Sequence, residues 1–227
     1  MPPSPEPARP RGPRARPVDT ARILDAAQEV FSAKGMEGAT MRAVARRAGC
    51  DPALIYYHFE GKEGLFLALA QRRLPPIAEA MARLADPADQ RPTRERLWQA
   101  LEVFHQHLGQ DAGFRGLFRG QLMAGSDTLK DAIAGLLRPI IQQLIQLLVQ
   151  GQERGELRPD LDPRLGAFFI GRMHMEILDL VPSMGARMTG VLAPHSLLSV
   201  RQAWLDFAWR AIAAHPVPPG PLPEARP

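Results

Sequence analysis

The chain has 227 residues, enough to bury a sizeable core as one helical unit or as a small head on a larger body. Its net charge of +4 arises in the first 73 residues, which hold 12 Lys or Arg against 8 Asp or Glu, while the rest holds 16 of each. This basic excess favours a phosphate-rich partner. The single cysteine, Cys50, excludes an internal disulfide and a thiolate zinc cluster, and it fits a reducing cytoplasm.

Both ends of the chain are rich in proline. Residues 1–17 hold seven prolines and four arginines, and residues 216–227 hold six prolines. Such segments cannot bury apolar surface, so disordered tails are expected at 1–18 and 216–227. The N-terminal tail is either an arm that binds DNA or an inert extension that supplies much of the basic excess. The chain has no secretory h-region and no run of 18 apolar residues, so no membrane span is expected.

The first predicted helix runs from Ala21 to Gly35, with apolar residues at helical spacing and a glycine at its end. A short helix then follows Thr40, a favourable N-cap, and ends at Gly49. Asp51 caps a third helix, whose first position is a proline that needs no N–H donor there. Two short helices joined by a glycine turn are typical of a helix-turn-helix, whose second helix enters the major groove of DNA.

A fourth helix is predicted from Lys62 to Leu84, with a kink at its two adjacent prolines, 75 and 76. Apolar periodicity predicts further helices at 93–108, 114–123, 129–152, 163–181 and 196–214, the third of these with a kink or break at Pro139. A Gly/Pro-punctuated loop is expected at 182–194. The predicted fold class is therefore all-α with about nine helices, divided into a head at 19–66 and a body at 67–215.

The sequence offers no catalytic or metal-binding motif. It lacks HExxH, G-x-S-x-G, a P-loop and G-x-G-x-x-G, and its histidines are scattered among the predicted helices. His105 and His107 would lie about 200° apart around a helix, which is unsuitable for binding one metal ion. We therefore expect no enzymatic activity, no metal and no cofactor.

The predicted head closely resembles the TetR/AcrR family of bacterial transcription regulators. The resemblance covers about 50 residues: ARILDAAQEVFSAKG, GATMRAVARRAG, the YYHF tetrad at 56–59 and KEGLF at 62–66. The chain departs from the family pattern at Leu54, where a small or hydroxyl residue is common, and at Asp51, where Ser or Thr is common. The resemblance therefore implies the fold but not the preferred bases.

Candidate DNA-binding residues follow from this resemblance and from side-chain chemistry. They are Thr40, Arg42, Pro52, Ala53, Leu54, Tyr56, Tyr57, His58 and Lys62. The resemblance implies phosphate contacts for the threonine, Tyr57, the histidine and the lysine, all of which can donate to phosphate oxygens. Arg42 is the candidate for a bidentate guanine contact, and residues 52–54 for apolar contacts with thymine methyls. In the alternative interpretation, Tyr56 or Tyr57 is a core aromatic.

The predicted body is where an effector would bind. Aromatic residues and a few polar groups at helical spacing mark a candidate pocket: Trp98, Phe104, His105, Phe118, Gln121, Phe169, Met173 and Glu176. Arg172 and His174 are further polar candidates. The alternative is an ordinary core, in which Arg172 and Glu176 form an i, i+4 ion pair.

The resemblance also implies a dimer, in which the last two helices pair with their symmetry mates in a four-helix bundle. Its candidate residues are Phe169, Ile177, Leu197, Val200, Trp204, Phe207 and Ala211. The alternative is that these helices only cap the monomer core.

The implied function is a homodimeric regulator, a repressor on a palindromic operator, that a small apolar or amphipathic effector releases. It would be cytoplasmic and associated with the nucleoid when bound to DNA. The alternative is a helical architectural or interaction protein with no small-molecule inducer, which a body without a cavity would favour.

Overall fold

The computed structural model describes residues 20–109, 111–184 and 195–214. The predicted tails and residues 185–194 of the predicted loop lie outside this part of the chain. The described residues form nine α-helices and no strand beyond an isolated bridge between Leu157 and Ala213, which confirms the all-α prediction. The chain divides into two compact units, Met1–Leu65 and Phe66–Pro227.

The first unit contains helices α1 (Thr20–Gly38), α2 (Met41–Ala48) and α3 (Pro52–His58). The helical geometry of α1 breaks at Gly35, which has φ 68° and ψ 175°, at the position where the sequence predicts its end. The backbone then turns helical again for three residues, so α1 reaches further than expected.

Local hydrogen bonds set the ends of the next two helices. The Thr40 hydroxyl accepts from the Ala43 amide at 3.1 Å, and the Asp51 carboxylate accepts from the Ala53 amide at 2.7 Å. Gly49 ends α2 in the left-handed conformation, at φ 67°. A side chain there would be strained and would also meet the Arg22 guanidinium, so glycine is required at this turn.

Burial holds this unit together, because helices of eight and seven residues are too short to be stable alone. Its core consists of buried residues from all three helices, among them Ile23, Ala27, Phe31, Val44, Ala45, Ala48 and Ile55. Each fully buried Ile or Phe contributes about 1.5–3 kcal/mol. Packing of α1 on α2 and of α2 on α3 therefore fixes the angle at the helix turn.

The second unit contains most of α4 (Gly61–Leu84), then α5 (Thr93–Phe104), α6 (Ala112–Ala124), α7 (Asp127–Glu153), α8 (Pro163–Met184) and α9 (Leu197–Ile212). A five-residue π-helical segment, His105–Gly109, extends α5 where the sequence predicts a continuous α-helix to residue 108. Helices α4 and α7 remain continuous across their internal prolines, so the break considered at Pro139 is absent.

A buried arginine joins the end of α4 to α5 and α7. The Arg96 guanidinium donates to the Leu84 carbonyl at 2.8 Å and to the Gln150 side-chain oxygen at 2.6 Å. Gln150 in turn donates to the Ala85 carbonyl at 2.8 Å. Desolvation lowers the pKa of Arg96, and these acceptors offset the cost of burying its charge.

The sequence analysis predicts no membrane span, but the length and composition of helix α7 would allow one. Within the described residues it is the one helix long and apolar enough to cross a membrane by length and composition, with a mean hydropathy of 1.5 in its most apolar window. Its buried leucines, 144, 147 and 148, pack among neighbouring helices, and α7 contacts α5, α6 and α8. Other apolar residues of α7 line a cavity, so its composition has a role within the helical body.

Candidate nucleic-acid interface and ligand cavity

The nine candidate DNA-binding residues lie at the start of α2, along α3 and at the start of α4. All of them retain solvent access. Six are exposed, namely Thr40, Arg42, Ala53, Tyr56, Tyr57 and His58, and three are half-buried, namely Pro52, Leu54 and Lys62. The helix-turn-helix therefore leaves the whole set accessible to a partner.

Helix α3 separates its core-facing residues from its exposed ones. Ile55 is fully buried and Phe59, four residues later, is 9% exposed, whereas Tyr56 and Tyr57 are 61% and 81% exposed. The rings of Tyr57 and His58 meet edge to face, with centroids 5.0 Å apart. The interpretation of one tyrosine as a core aromatic is therefore wrong, because the i, i+4 pair of Ile and Phe already fills the inward face.

Lys62 has a structural contact that the sequence did not reveal. Its Nζ donates to the Met36 carbonyl at 2.7 Å, which ties the start of α4 to the end of α1. An ammonium group has three N–H donors, so this bond leaves donors for a phosphate oxygen. Among the neighbouring arginines, Arg47 pairs with Glu29, while Arg42 makes no ion pair with any described residue.

A cavity of about 330 Å³ lies within the second unit, among α4, α5 with its π-helical extension, α6, α7 and α8. Its wall is mainly apolar. The lining residues are Leu74, Phe104, Leu108, Phe114, Arg115, Phe118, Arg119, Leu122, Leu137, Ile140, Ile141, Leu144, Ala167, Phe168, Gly171, Arg172, Met175, Glu176 and Asp179. An apolar chamber with a few charged groups is the usual form of a small-molecule site.

Three of the eight predicted pocket residues line this cavity: Phe104, Phe118 and Glu176. Arg172 lines it too, and it forms the anticipated i, i+4 pair with Glu176 at 2.7 Å.

The other five predicted residues lie elsewhere, which corrects the sequence-based assignment. Trp98 is buried in the core beside the Arg201 guanidinium, which is 5.5 Å from its ring centre. Phe169 and Met173 are exposed on another face of α8. His105 and Gln121 are half-buried outside the lining.

Sequence reasoning missed the contribution of α7. Leu137, Ile140, Ile141 and Leu144 line the cavity at i, i+3, i+4 and i+7, which is the spacing of one helical face. This pattern is visible in the sequence. It is obscured because α7 is apolar on other faces as well.

Arg115 is the most constrained charged group of the cavity wall. Its Nη1 donates to the Leu108 and Gly109 carbonyls, both at 2.6 Å, and its Nη2 donates to the Leu178 carbonyl at 2.9 Å. Its Nε pairs with Asp179 at 2.6 Å. This buried side chain thus satisfies carbonyls at the end of the π-helical segment and fixes α6 against α8.

A second buried polar cluster joins α5, α8 and α9 outside the cavity. Arg201 pairs with Glu102, and its charge interacts electrostatically with both His105 and His174. Burial, and then the charge of Arg201, lower the pKa of His174 to about 3, and the same two causes lower the pKa of His105. Both imidazoles are therefore neutral near pH 7.

The candidate dimer residues lie on α8 and α9 and remain accessible. Phe169, Phe207 and Ala211 are exposed, and Ile177, Leu197, Val200 and Trp204 are half-buried. The rings of Trp204 and Phe207 are 5.9 Å apart, centre to centre. Phe207 is 70% exposed, so with the half-buried Trp204 it forms an accessible apolar patch on α9.

Across 20–109, 111–184 and 195–214, no three His, Cys, Asp or Glu side chains come close enough together to hold a metal ion. Cys50 is half-buried beside the helix turn, where burial first and Asp51 second raise the pKa of its thiol. A raised pKa disfavours the reactive thiolate.

The N-terminal part of this chain is similar in sequence to known bacterial transcription regulators. Residues 23–69 match the family model described as "Bacterial regulatory proteins, tetR family". The HTH-type transcriptional regulator UidR of Escherichia coli K12 is 37% identical over 75 residues, which are 33% of this chain and 36% of UidR. The HTH-type transcriptional activator FasR of Mycolicibacterium smegmatis is 34% identical over 99 residues, which are 43% of this chain and 44% of FasR. The similarity thus spans less than half the length of either relative.

A solved structure resembles the fold over nearly its whole length. The transcriptional regulator FadR from Bacillus subtilis, in complex with stearoyl-CoA, superposes with a TM-score of 0.71 and 22% identity. The superposition covers 84% of this chain and 97% of FadR. The arrangement of helices is therefore shared well beyond the segment in which sequence similarity is detectable.

Proposed function

We propose that this chain, whose residues 23–69 match the tetR family model, is a ligand-responsive transcription regulator of that family that binds DNA sequence-specifically. It acts as a homodimeric repressor on a palindromic operator, and a small apolar or amphipathic effector releases it. It works in the cytoplasm, on the nucleoid when bound, and it catalyses no reaction. The observation that carries the proposal is the exposed α2–α3 unit, in which Arg42, Tyr56, Tyr57 and His58 all face solvent.

The DNA contacts divide by chemistry. Tyr57, His58 and Lys62 donate to phosphates and so fix the position of α3 in the major groove. Arg42, which has no ion-pair partner among the described residues, reads a guanine edge with two parallel hydrogen bonds. The half-buried Leu54 contacts a thymine methyl. Each head then recognises one half-site.

The exposed apolar residues of α8 and α9 support the dimer. Phe169 and Phe207 place large apolar surfaces in water in the monomer, and burial against a second copy removes that cost. Two helices from each subunit then form a four-helix interface. A two-fold axis through it presents two heads to a palindromic site.

The cavity supports release by an effector. Phe114 and Phe118 line it, and both rings lie within 6.3 Å of the Phe66 ring of α4. Helix α4 begins at Gly61, immediately before Lys62. A ligand among these rings therefore bears on the helix that carries a candidate phosphate contact. The cavity favours this mechanism over the alternative of an interaction protein without an inducer.

Selection of genomic DNA fragments by the purified protein tests the proposal. We expect enrichment of one palindromic sequence with half-sites about one helical turn apart. Arg42→Ala should lose most of the enrichment, because it removes the proposed guanine contact, while the matched control Met123→Ala, which alters an exposed residue of α6, should retain it. Recovery of random fragments by both variants and by the unaltered protein would overturn the proposal of sequence-specific regulation.

A further inference from the structure

The lining of the cavity changes in character between its deep wall and its opening. Leu74, Phe114, Ile140, Leu144 and Ala167 form a deep wall that is almost completely buried. The lining residues with most solvent access include Ile141, Phe168, Arg119 and Arg172. A buried apolar wall favours an apolar group, whereas a charged group must stay where water or an ion partner can solvate it.

Charge pairing leaves one guanidinium in excess among the lining residues. Asp179 pairs with Arg115 at 2.6 Å, and Glu176 pairs with Arg172 at 2.7 Å. Arg115 already uses four of its five N–H donors within the protein, so it is part of the framework. The remaining charge is that of Arg119.

Arg119 is held only loosely. Its Nη1 lies 3.8 Å from a Glu176 carboxylate oxygen and 3.6 Å from an Asp179 oxygen, both beyond hydrogen-bond length. Its side chain is 50% exposed, and that of Arg172 is 54% exposed. Exposed ion pairs contribute little to stability, so an anion can replace these contacts at little cost.

We propose that the ligand of this cavity is an amphipath with an anionic head group, whose apolar chain fills the deep wall and whose head binds Arg119 and Arg172. A carboxylate and a phosphate both match the two parallel donors of a guanidinium. A cationic head would meet the unbalanced charge of Arg119 and be repelled. The inference rests on the proposed ligand-responsive function and names the class of its effector.

Calorimetric titration of the full-length protein with probes of equal chain length tests the inference. Decanoate and decyl phosphate represent the two anionic heads, decanol a neutral head and decylamine a cationic one. We expect at least one anion to bind about tenfold more tightly than decanol, since hydrogen bonds to charged groups are about twice as strong as neutral ones. Decylamine should bind more weakly than decanol.

Variants locate the selectivity. Arg119→Gln should reduce anion affinity about tenfold while leaving decanol binding unchanged, and Arg119→Lys should keep part of the preference through its charge. Arg138→Gln is the matched control, because Arg138 is an exposed arginine of α7 that does not line the cavity. Retention of full anion preference in Arg119→Gln would overturn the assignment of the head-group site.

The results of these titrations distinguish a failure of the anionic ligand class from a failure of the proposed ligand response. If decanol or decylamine binds as tightly as the anions, the anionic class is wrong while the ligand cavity stands. If none of the four probes binds, the anionic class is likewise wrong. If, in addition, no compound of a broad effector panel releases the protein from its selected DNA, the proposed ligand response fails as well.

Discussion

His174 should make the stability of the helical body fall as the pH drops below neutrality. Its side chain is only 1% exposed, and neither ring nitrogen makes a hydrogen bond of normal geometry. Burial is the main cause and the Arg201 charge the second cause of its pKa near 3, compared with an ordinary value of 6.5. The Leu101 carbonyl opposes part of this shift.

The sign follows from proton binding. Between pH 6.5 and 3, His174 is protonated in the unfolded chain but neutral in the folded one, so the unfolded state binds more protons. The stabilisation is fully present above pH 6.5 and is lost as the pH falls. At one pKa unit per 1.36 kcal/mol, acidification from pH 7.5 to 5 removes about 2 kcal/mol. His105, whose pKa is also lowered, adds in the same direction.

Urea unfolding followed by circular dichroism at pH 7.5, 6 and 5, at constant ionic strength, measures this loss. Asp89, whose pKa the Arg91 side chain lowers to about 2, stays ionised throughout this window. His174→Leu should remove about 2 kcal/mol of the pH dependence, because leucine is apolar and does not titrate. The control His107→Gln alters an exposed histidine and should keep the full dependence. Equal pH dependence in the unaltered protein and His174→Leu would refute the reasoning.

Three further predictions concern DNA binding and assembly. Tyr57→Ala and Lys62→Ala should each weaken binding to all DNA and make the salt dependence of the affinity shallower by about one unit. Lys62→Ala should also unfold at a lower temperature, because it loses the hydrogen bond to the Met36 carbonyl of α1. A variant whose salt titration is unchanged would exclude the altered residue from the DNA interface. Arg42→Ala should cost roughly 1–3 kcal/mol on the selected site and little on random DNA; equal losses would make it a phosphate contact. Phe207→Glu should give a folded monomer by sedimentation with operator affinity about 100-fold weaker, whereas the control Met123→Glu should stay dimeric; a dimeric Phe207→Glu protein would place the interface elsewhere.

The head was predictable because the interactions that shape it are local. The caps at Thr40 and Asp51 each join residues two or three positions apart, and Gly49 needs only its own backbone conformation. The inward pair Ile55 and Phe59 follows from helical spacing alone. Each of these signals is complete within a few residues, so the sequence contains all the information needed to place them.

The cavity was only partly predictable, because adjacent residues of one helix separate between two environments. Phe168 lines the cavity while Phe169 does not, although both are aromatic and equally exposed. Their rings even contact each other, with centroids 5.5 Å apart. Which face of α8 meets the cavity depends on the positions of α6 and α7, and periodicity cannot supply those positions.

The π-helical segment, His105–Gly109, was also not predictable from the sequence pattern, here in its backbone geometry. Residues 93–108 carry a regular helical pattern, yet α-helical bonding stops at Phe104. The Arg115 guanidinium, which follows Leu108 by seven residues and Gly109 by six, donates hydrogen bonds to both of their carbonyls. A tertiary side-chain contact thus stabilises a local geometry that helix propensity alone does not indicate.

The contacts between α4 and α6 have interaction free energies of the magnitude needed to transmit an effector signal. Arg73 of α4 pairs with Asp111 at 2.8 Å and lies 4.7 Å from the centre of the Phe114 ring, while Asp111 also caps α6 by accepting from the Phe114 amide. A partly buried cation–π contact contributes about 0.5–2 kcal/mol, and allosteric coupling commonly amounts to about 1–3 kcal/mol. A ligand that shifts the Phe114 ring by displacing its neighbour Phe118 in the cavity wall therefore needs to disturb only one or two of these contacts. In the proposed mechanism, that disturbance is what biases α4, because the same aromatic ring forms part of the ligand site and part of the α4 contact.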